Sequence, residues 1–236
     1  MTRRAHRGDL SAALHTLRRY PTCAAACALL KRHPGALSLK IVVQPAPSAN
    51  ARGVWHTRDM GELQTNRLQL KPLDISHVEE MHTLSVDPDV RKYLFEDQII
   101  PRSRVEEMIE GSERCFEEHG IGFFALYLDH ETDPMHGQFA GFCGLRRFEG
   151  GTDMELLLGI NPLVWGRGIG GEAARAVLQN AFETCGLAQV IAAADTPNQR
   201  SVRVLQKLGM SFRERRLWHG LDTVFYDLTA EEFAHL

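Results

Sequence analysis

Between residues 154 and 182 the chain places a strand-length run, a glycine-rich turn and a helical pattern in immediate succession, and few folds accommodate that order. Met154-Glu155-Leu156-Leu157-Leu158-Gly159-Ile160 is the largely apolar run, and Trp165-Gly166-Arg167-Gly168-Ile169-Gly170-Gly171 is the turn. After it Ala174, Val177, Leu178, Ala181 and Phe182 recur at helical spacing. Glycines at 166, 168, 170 and 171 free the backbone to take positive φ and to bring its N–H groups close to a ligand. Those amides would open a helix, where unpaired donors and the macrodipole favour an anion. The stretch reads as a binding site for a diphosphate. No Gly-Lys-Ser or Gly-Lys-Thr follows the glycines, which excludes the lysine-ending phosphate loop. The spacing Gly166-x-Gly168-x-x-Gly171 also comes late in the chain for a dinucleotide fingerprint.

Charge narrows the ligand further. Residues 1–58 hold ten Lys or Arg and one acid, Asp9, a balance of +9, whereas residues 59–236 balance at −12. An acidic body suits an amine-bearing substrate better than nucleic acid, so no nucleic-acid partner is expected. No apolar run approaches the length of a membrane span and no charged-then-apolar secretory signal opens the chain, so a soluble, cytoplasmic protein without a membrane partner is expected. Five cysteines without regular spacing argue against a disulfide framework. Cys23 and Cys27 lie one helical turn apart, but nothing completes a zinc-like ligand set, and no metal is expected.

The basic segment, residues 1–62, is Arg- and Ala-rich and runs into Gln44-Pro45-Ala46-Pro47-Ser48, which has linker composition. It reads as a low-order extension: an organelle-targeting presequence, a basic tail for an acidic partner, or an upstream start that adds dispensable residues. Met60, just ahead of the first domain-like pattern, favours the last. One domain is expected over residues 63–236. Arg67 to Leu70 alternates as a first strand that Pro72 stops, Asp74 caps a helix running to about Leu84, and a second helix covers Ser103 to about Glu118. Gly122 to Leu128 and Phe139 to Leu145 form a hairpin across the polar turn Asp129 to Gly137. The helix after the glycine turn reaches about Thr184, and Val190 to Ala194 is a short buried strand. Thr196-Pro197-Asn198 caps a helix that ends at Gly209, and two strands close the chain near Ser211 to Trp218 and Asp222 to Leu228.

Four segments in this order carry a resemblance: Thr65-Asn66-Arg67-Leu68-Gln69-Leu70, Gly141-Phe142-Cys143-Gly144-Leu145, the turn from Trp165 to Ala173, and the stretch from Asn198 through Ser201 and Lys207-Leu208-Gly209 to Met210. Together they resemble the GNAT superfamily of acyl-CoA-dependent N-acetyltransferases, and more narrowly its RimJ/RimL branch. The resemblance implies an α+β fold, with a mixed, mainly antiparallel central sheet of about seven strands flanked by about four helices. It implies acetyl-CoA as cofactor, with the pyrophosphate on the backbone amides of Arg167, Gly168, Ile169, Gly170 and Gly171. Trp165 stands where the superfamily usually opens this turn with Gln or Arg, and Glu172 would cap the helix amides.

Acetyl transfer to an amine needs a base, a polarised carbonyl and a proton for the departing thiolate. By resemblance Glu155 is the base, with Asp153, two residues earlier on the same strand face, in reserve. A backbone N–H near Leu157 or Leu158 would polarise the carbonyl at a splay between strands. The tyrosine that commonly protonates the thiolate is replaced by Leu205, and Ser201 matches the serine of the RimL-like branch. Asn198 would cap its helix and contact the pantetheine arm or a water, and residues Arg91 to Phe95 would line the acceptor pocket. The expected activity is transfer of an acetyl group from acetyl-CoA to a primary amine, a protein N-terminus or a small molecule, by direct attack in a ternary complex. The acceptor would be an amine, cationic if it exploits the acidic body, and the protein a monomer or homodimer. The alternative is an acyl-CoA-binding sensor or scaffold that does not catalyse; a nucleotide-binding α/β domain is disfavoured by the hairpin around Asp129 to Gly137.

Overall fold

Strand periodicity decides the centre of the molecule. In the computed structural model, which describes residues 61–236, Phe123, Ala125 and Tyr127 face one layer of core while Phe124, Leu126 and Leu128 face another. A strand buried on both faces must be covered on both, and here helices do it. The expectations for the basic extension and for Cys23 and Cys27 lie outside the described residues.

Eight strands form one sheet in the order β1-β2-β3-β4-β5-β6-β8-β7. They are β1 (Leu63–Gln64), β2 (Leu68–Pro72), β3 (Phe123–Leu128), β4 (Phe139–Arg147), β5 (Met154–Ile160), β6 (Gln189–Asp195), β7 (Ser211–Trp218) and β8 (Leu221–Thr229). Every pairing is antiparallel except β5 with β6. The mixed, mainly antiparallel α+β fold expected from the sequence is the fold observed, with the two-residue β1 as an eighth strand. β2 ends at Pro72, as expected, with the proline itself the last residue in register, opposite Phe124.

On one face lie α1 (Val78–Val86), α2 (Pro88–Leu94) and the first half of α3 (Arg102–His119), packing Val78, Met81, Val90, Val105 and Ile109 against Phe123, Ala125 and Phe142. On the other, α4 (Ile169–Gln179) and α5 (Gln199–Lys207) bury Ile169, Ala173, Val177, Val202 and Leu205 against the Leu68, Leu70 and Leu126 side of the sheet. Each buried Val, Ile, Leu or Met among them contributes about 2 kcal/mol by burial. The chain ends in α6 (Ala230–Phe233), opened by a reciprocal Thr229–Glu232 cap.

Two local details differ from the sequence reading. Asp74 caps a short 3-10 turn, Ile75–His77, ahead of α1 rather than a continuous helix. The helix after the glycine turn leaves α-geometry at Asn180 and finishes as a π-turn to Thr184. The edge strand β7 is exposed along Ser211 to Leu217 and carries Arg213, Glu214, Arg215 and Arg216, charges that discourage edge-to-edge pairing. In β4, Gly141 has φ 134°, and a Cβ there would sit 2.1 Å from the carbonyl oxygen of Gly159. Only glycine lets β4 and β5 approach at this point. Among the described residues no helix is long and apolar enough to cross a membrane.

Candidate active site

Asn161 begins the turn: its Oδ1 accepts from the Leu163 amide at 3.1 Å and starts a single 3-10 turn, Pro162–Val164. Gly166 and Gly168 then take φ of 77° and 80°, and α4 starts at Ile169. The first helical bond is donated by Glu172 to the Gly168 carbonyl at 3.1 Å. Among the described residues none of the amides from Gly166 to Gly171 donates a hydrogen bond, which leaves a run of unpaired N–H groups at a positive helix end. Arg167, Gly168, Ile169, Gly170 and Gly171, the five positions expected to hold a pyrophosphate, all lie in that run.

Side chains pin the turn from three directions. The Arg167 guanidinium is paired with Asp133, in the β3–β4 loop, and so is turned to protein. The Arg167 carbonyl accepts from Arg67 Nη1 at 2.9 Å. The Glu172 carboxylate does not cap the α4 amides, as the sequence suggested. It reaches instead to the β1–β2 connection, accepting from Thr65 Oγ1 at 2.6 Å, the Arg67 amide at 3.1 Å and Arg67 Nε at 2.7 Å. Trp165 supplies the last anchor. Its Nε1 donates to the Ile160 carbonyl at 2.7 Å, and the Arg200 guanidinium of α5 lies 4.4 Å from its ring centroid.

The splay expected next to the turn is present. β5 and β6 share one register pair, Glu155 with Ile191, while β5 follows β4 along its whole length and β6 follows β8 from Gln189 to Asp195. Asn161 N donates to Ala140 O and Leu145 N to Gly122 O, so Ala140, Phe142 and Gly144 turn their backbone groups to β5. In an antiparallel ladder their partners Gly159 and Leu157 return the favour. Of the two amides expected as donors, that of Leu157 therefore faces Gly144 and that of Leu158 points into the gap between β5 and β6. The Ile160 carbonyl, on the same side, is the one that Trp165 takes.

Glu155 is 5% exposed, and its Oε2 accepts from Nε of Arg146, its cross-strand neighbour, at 2.8 Å. Among the described residues its Oε1 has no hydrogen bond. Asp153 lies before β5, exposed, and approaches Arg213 only at 3.9 Å. The two candidate bases thus sit in different environments, and only Glu155 is enclosed. On the Glu155 face of β5, a Cβ on Gly159 would lie 3.2 Å from Leu94 Cδ2, so α2 covers the strand there. This brings the end of the Arg91–Phe95 segment over β5, while Arg91 itself pairs with Asp97 at 3.1 Å.

Asn198 caps α5, its Oδ1 accepting from the Ser201 amide at 3.2 Å, and Ser201 lies in the first turn. Leu205 is 3% exposed inside the core, so the place of the usual tyrosine is a packing position. At the carboxyl end of β6, burial raises the Asp195 carboxyl above its ordinary value; the Thr223 hydroxyl opposes this and the Glu96 charge adds to it. Sequence reasoning passed over Arg67, Thr65, Asp133 and Arg146. Thr65 and Arg67 belong to the first segment of the family resemblance, but nothing local says that a residue of β2's lead-in reaches the helix after the turn. Two open grooves of the surface lie elsewhere, sharing Lys71 and Tyr127, and no residue of the glycine turn lines them.

The acetyltransferase (GNAT) domain model matches residues 67–211. YkkB of Bacillus subtilis (strain 168), uncharacterized, is 28% identical over 162 residues, 67% of this chain and 90% of its own. The uncharacterized N-acetyltransferase p20 of Bacillus licheniformis is 25% identical over 183 residues, 74% of this chain and 99% of its own. Among solved structures, RimL, the ribosomal L7/L12 alpha-N-protein acetyltransferase in complex with coenzyme A, superposes with a TM-score of 0.60 at 14% identity, covering 72% of this chain and 98% of RimL.

Proposed function

The chain belongs to the GNAT acetyltransferase family, and from that premise we propose that it is an N-acetyltransferase of the RimJ/RimL branch, moving an acetyl group from acetyl-CoA to a primary amine by direct attack in a ternary complex. The observation that carries this reading is the run of free amides from Arg167 to Gly171 beside the divergence of β5 from β6. Five donors at a helix N-terminus suit a diphosphate, and a gap between strands suits an extended arm.

Bound there, acetyl-CoA supplies a thioester carbonyl. The Leu158 N–H would donate to the carbonyl oxygen as charge develops on it, a kind of contact whose removal costs about 3 kcal/mol of transition-state stabilisation. Glu155, through Oε1, would take a proton from the acceptor ammonium, directly or by way of one water, and so free the neutral amine to attack, while Arg146 holds Oε2. As the C–N bond forms and the C–S bond breaks, the proton lost by the attacking nitrogen would pass to the departing sulfur, to which Ser201 Oγ would donate a hydrogen bond, and Asn198 fixes the helix turn that presents it. The acidic domain, with Glu96 and Asp195 on the side of α2, favours a cationic acceptor.

Leu205 favours a second reading. A buried leucine in place of a phenol leaves only a weak proton donor, as in a module that binds acyl-CoA without transferring it. Calorimetry with acetyl-CoA, followed by a panel of amines scored for thiol release, separates the two. Saturable binding with amine-dependent thiol release is expected. Binding without release from any amine selects the sensor, and a folded chain that takes up no acetyl-CoA removes both.

A further inference from the structure

A carboxylate four residues into a helix whose N-terminus receives a diphosphate ought to work against the ligand. Glu172 is in that position, yet its charge is fully engaged elsewhere. Oε1 accepts from Thr65 Oγ1 (2.6 Å) and the Arg67 amide (3.1 Å). Oε2 is held by Arg67 Nε (2.7 Å) and Nη2 (2.6 Å) in a forked pair. The remaining nitrogen, Nη1, donates to the Arg167 carbonyl at 2.9 Å. One guanidinium therefore spends all three nitrogens on the turn and its helix. The Arg167 carbonyl and the Gly168 amide belong to one planar trans peptide, so drawing the carbonyl toward Arg67 aims the Gly168 N–H the opposite way. Burial opposes ionisation of Glu172, but the Thr65 and Arg67 hydrogen bonds and the guanidinium charge outweigh it and hold its carboxyl below the ordinary value.

We propose that Arg67 is a positioning residue for the cofactor: it masks the Glu172 charge and orients the Arg167–Gly168 peptide, so that the turn offers its amides to a diphosphate unopposed. The inference rests on the reading of the turn as the coenzyme A site.

The test is a mutant cycle on the full chain, with coenzyme A affinity measured by calorimetry and folding by thermal melting. Arg67→Met leaves an unmasked carboxylate and a free peptide, and it should weaken coenzyme A binding about thirtyfold. Glu172→Gln leaves an uncompensated guanidinium beside the turn and should tighten binding about threefold, although it lowers the melting temperature. Adding Glu172→Gln to Arg67→Met should recover about tenfold of the lost affinity. A purely structural pair predicts that both single variants weaken binding in step with their melting temperatures, and that result overturns the proposal. If Arg67→Met does not fold, Glu172→Gln decides alone, because weaker binding in that variant also overturns it. A folded wild-type chain that takes up no coenzyme A would sink the reading of the turn itself, whereas wild-type binding with same-sign variants would sink only the role of Arg67.

Discussion

Two backbone segments flank the divergence of β5 and β6, and they reach the left-handed region by opposite means. At the turn before α4, Gly166 and Gly168 take φ of 77° and 80° with no side chain to object. After α2, Glu96 and Asp97 take φ of 54° and 59° with side chains in place, at a cost of about 1 kcal/mol each. The first segment is pinned by Arg67, Asp133 and Trp165, whereas the second has the single ion pair Arg91–Asp97 and backbone bonds of its own. A site that binds through main-chain amides needs glycine and rigid support, whatever else surrounds it. If the segment after α2 borders the acceptor pocket, as proposed, it presents side chains there at the cost of backbone strain.

The sharpest break in that contrast is Glu155→Gln. With Glu155 as the proposed base, the change should lower kcat about 10²–10³-fold while acetyl-CoA affinity by calorimetry stays within about twofold. Equal losses in both would merge the two sides into one. Gly168→Val attacks the other side: a β-branched residue at φ 80° must reshape the turn, and coenzyme A affinity should fall about thirtyfold. Unchanged affinity would mean that the amides of this turn are not what binds. Glu96→Gly relieves the strain after α2 and should raise the melting temperature by about 2–4 °C, corresponding to roughly 1 kcal/mol. A lower melting temperature would show the Glu96 side chain to be worth more than its backbone costs.

The smallest effect is in pH. Because the folded-state value of Glu172 is depressed, its stabilisation is complete above the ordinary glutamate pKa and is lost as pH falls through the lower folded value. The melting-temperature gap between wild type and Glu172→Gln should therefore be flat near neutrality and close in acid. A gap that widens in acid would contradict the ion pair.

How far the sequence exposes this arrangement depends on distance along the chain. The strand, glycine turn and helix of residues 154–179 are adjacent in the chain, so their order is legible without tertiary information, and the resemblance carried by four such segments implies the fold family and the five amide positions. The β3–β4 hairpin was equally local. By contrast Glu172 meets Thr65 and Arg67 across 107 and 105 residues, so a carboxylate in a first helical turn looked like an ordinary cap. The choice between Leu157 and Leu158 depended on which edge of β5 each amide faces, a matter of register with β4 rather than of residue type. α2 went unrecognised because it has seven residues, too few for a periodicity, although Asp87 and Pro88 are a good cap and first position. The eighth strand, β1, is two residues long and exists only because β2 is beside it.

The lone register pair between β5 and β6 has a mechanical consequence. The sheet is two plates stitched at one rung, so tension pulling β4 and β5 away from β6 and β8 finds almost no ladder to resist it. Cohesion across the seam passes instead through the packing of α4 and α5 and through the Trp165–Arg200 stack. A molecule stretched across that line should tear there first, and anything lodged in the seam would act as its missing stitches.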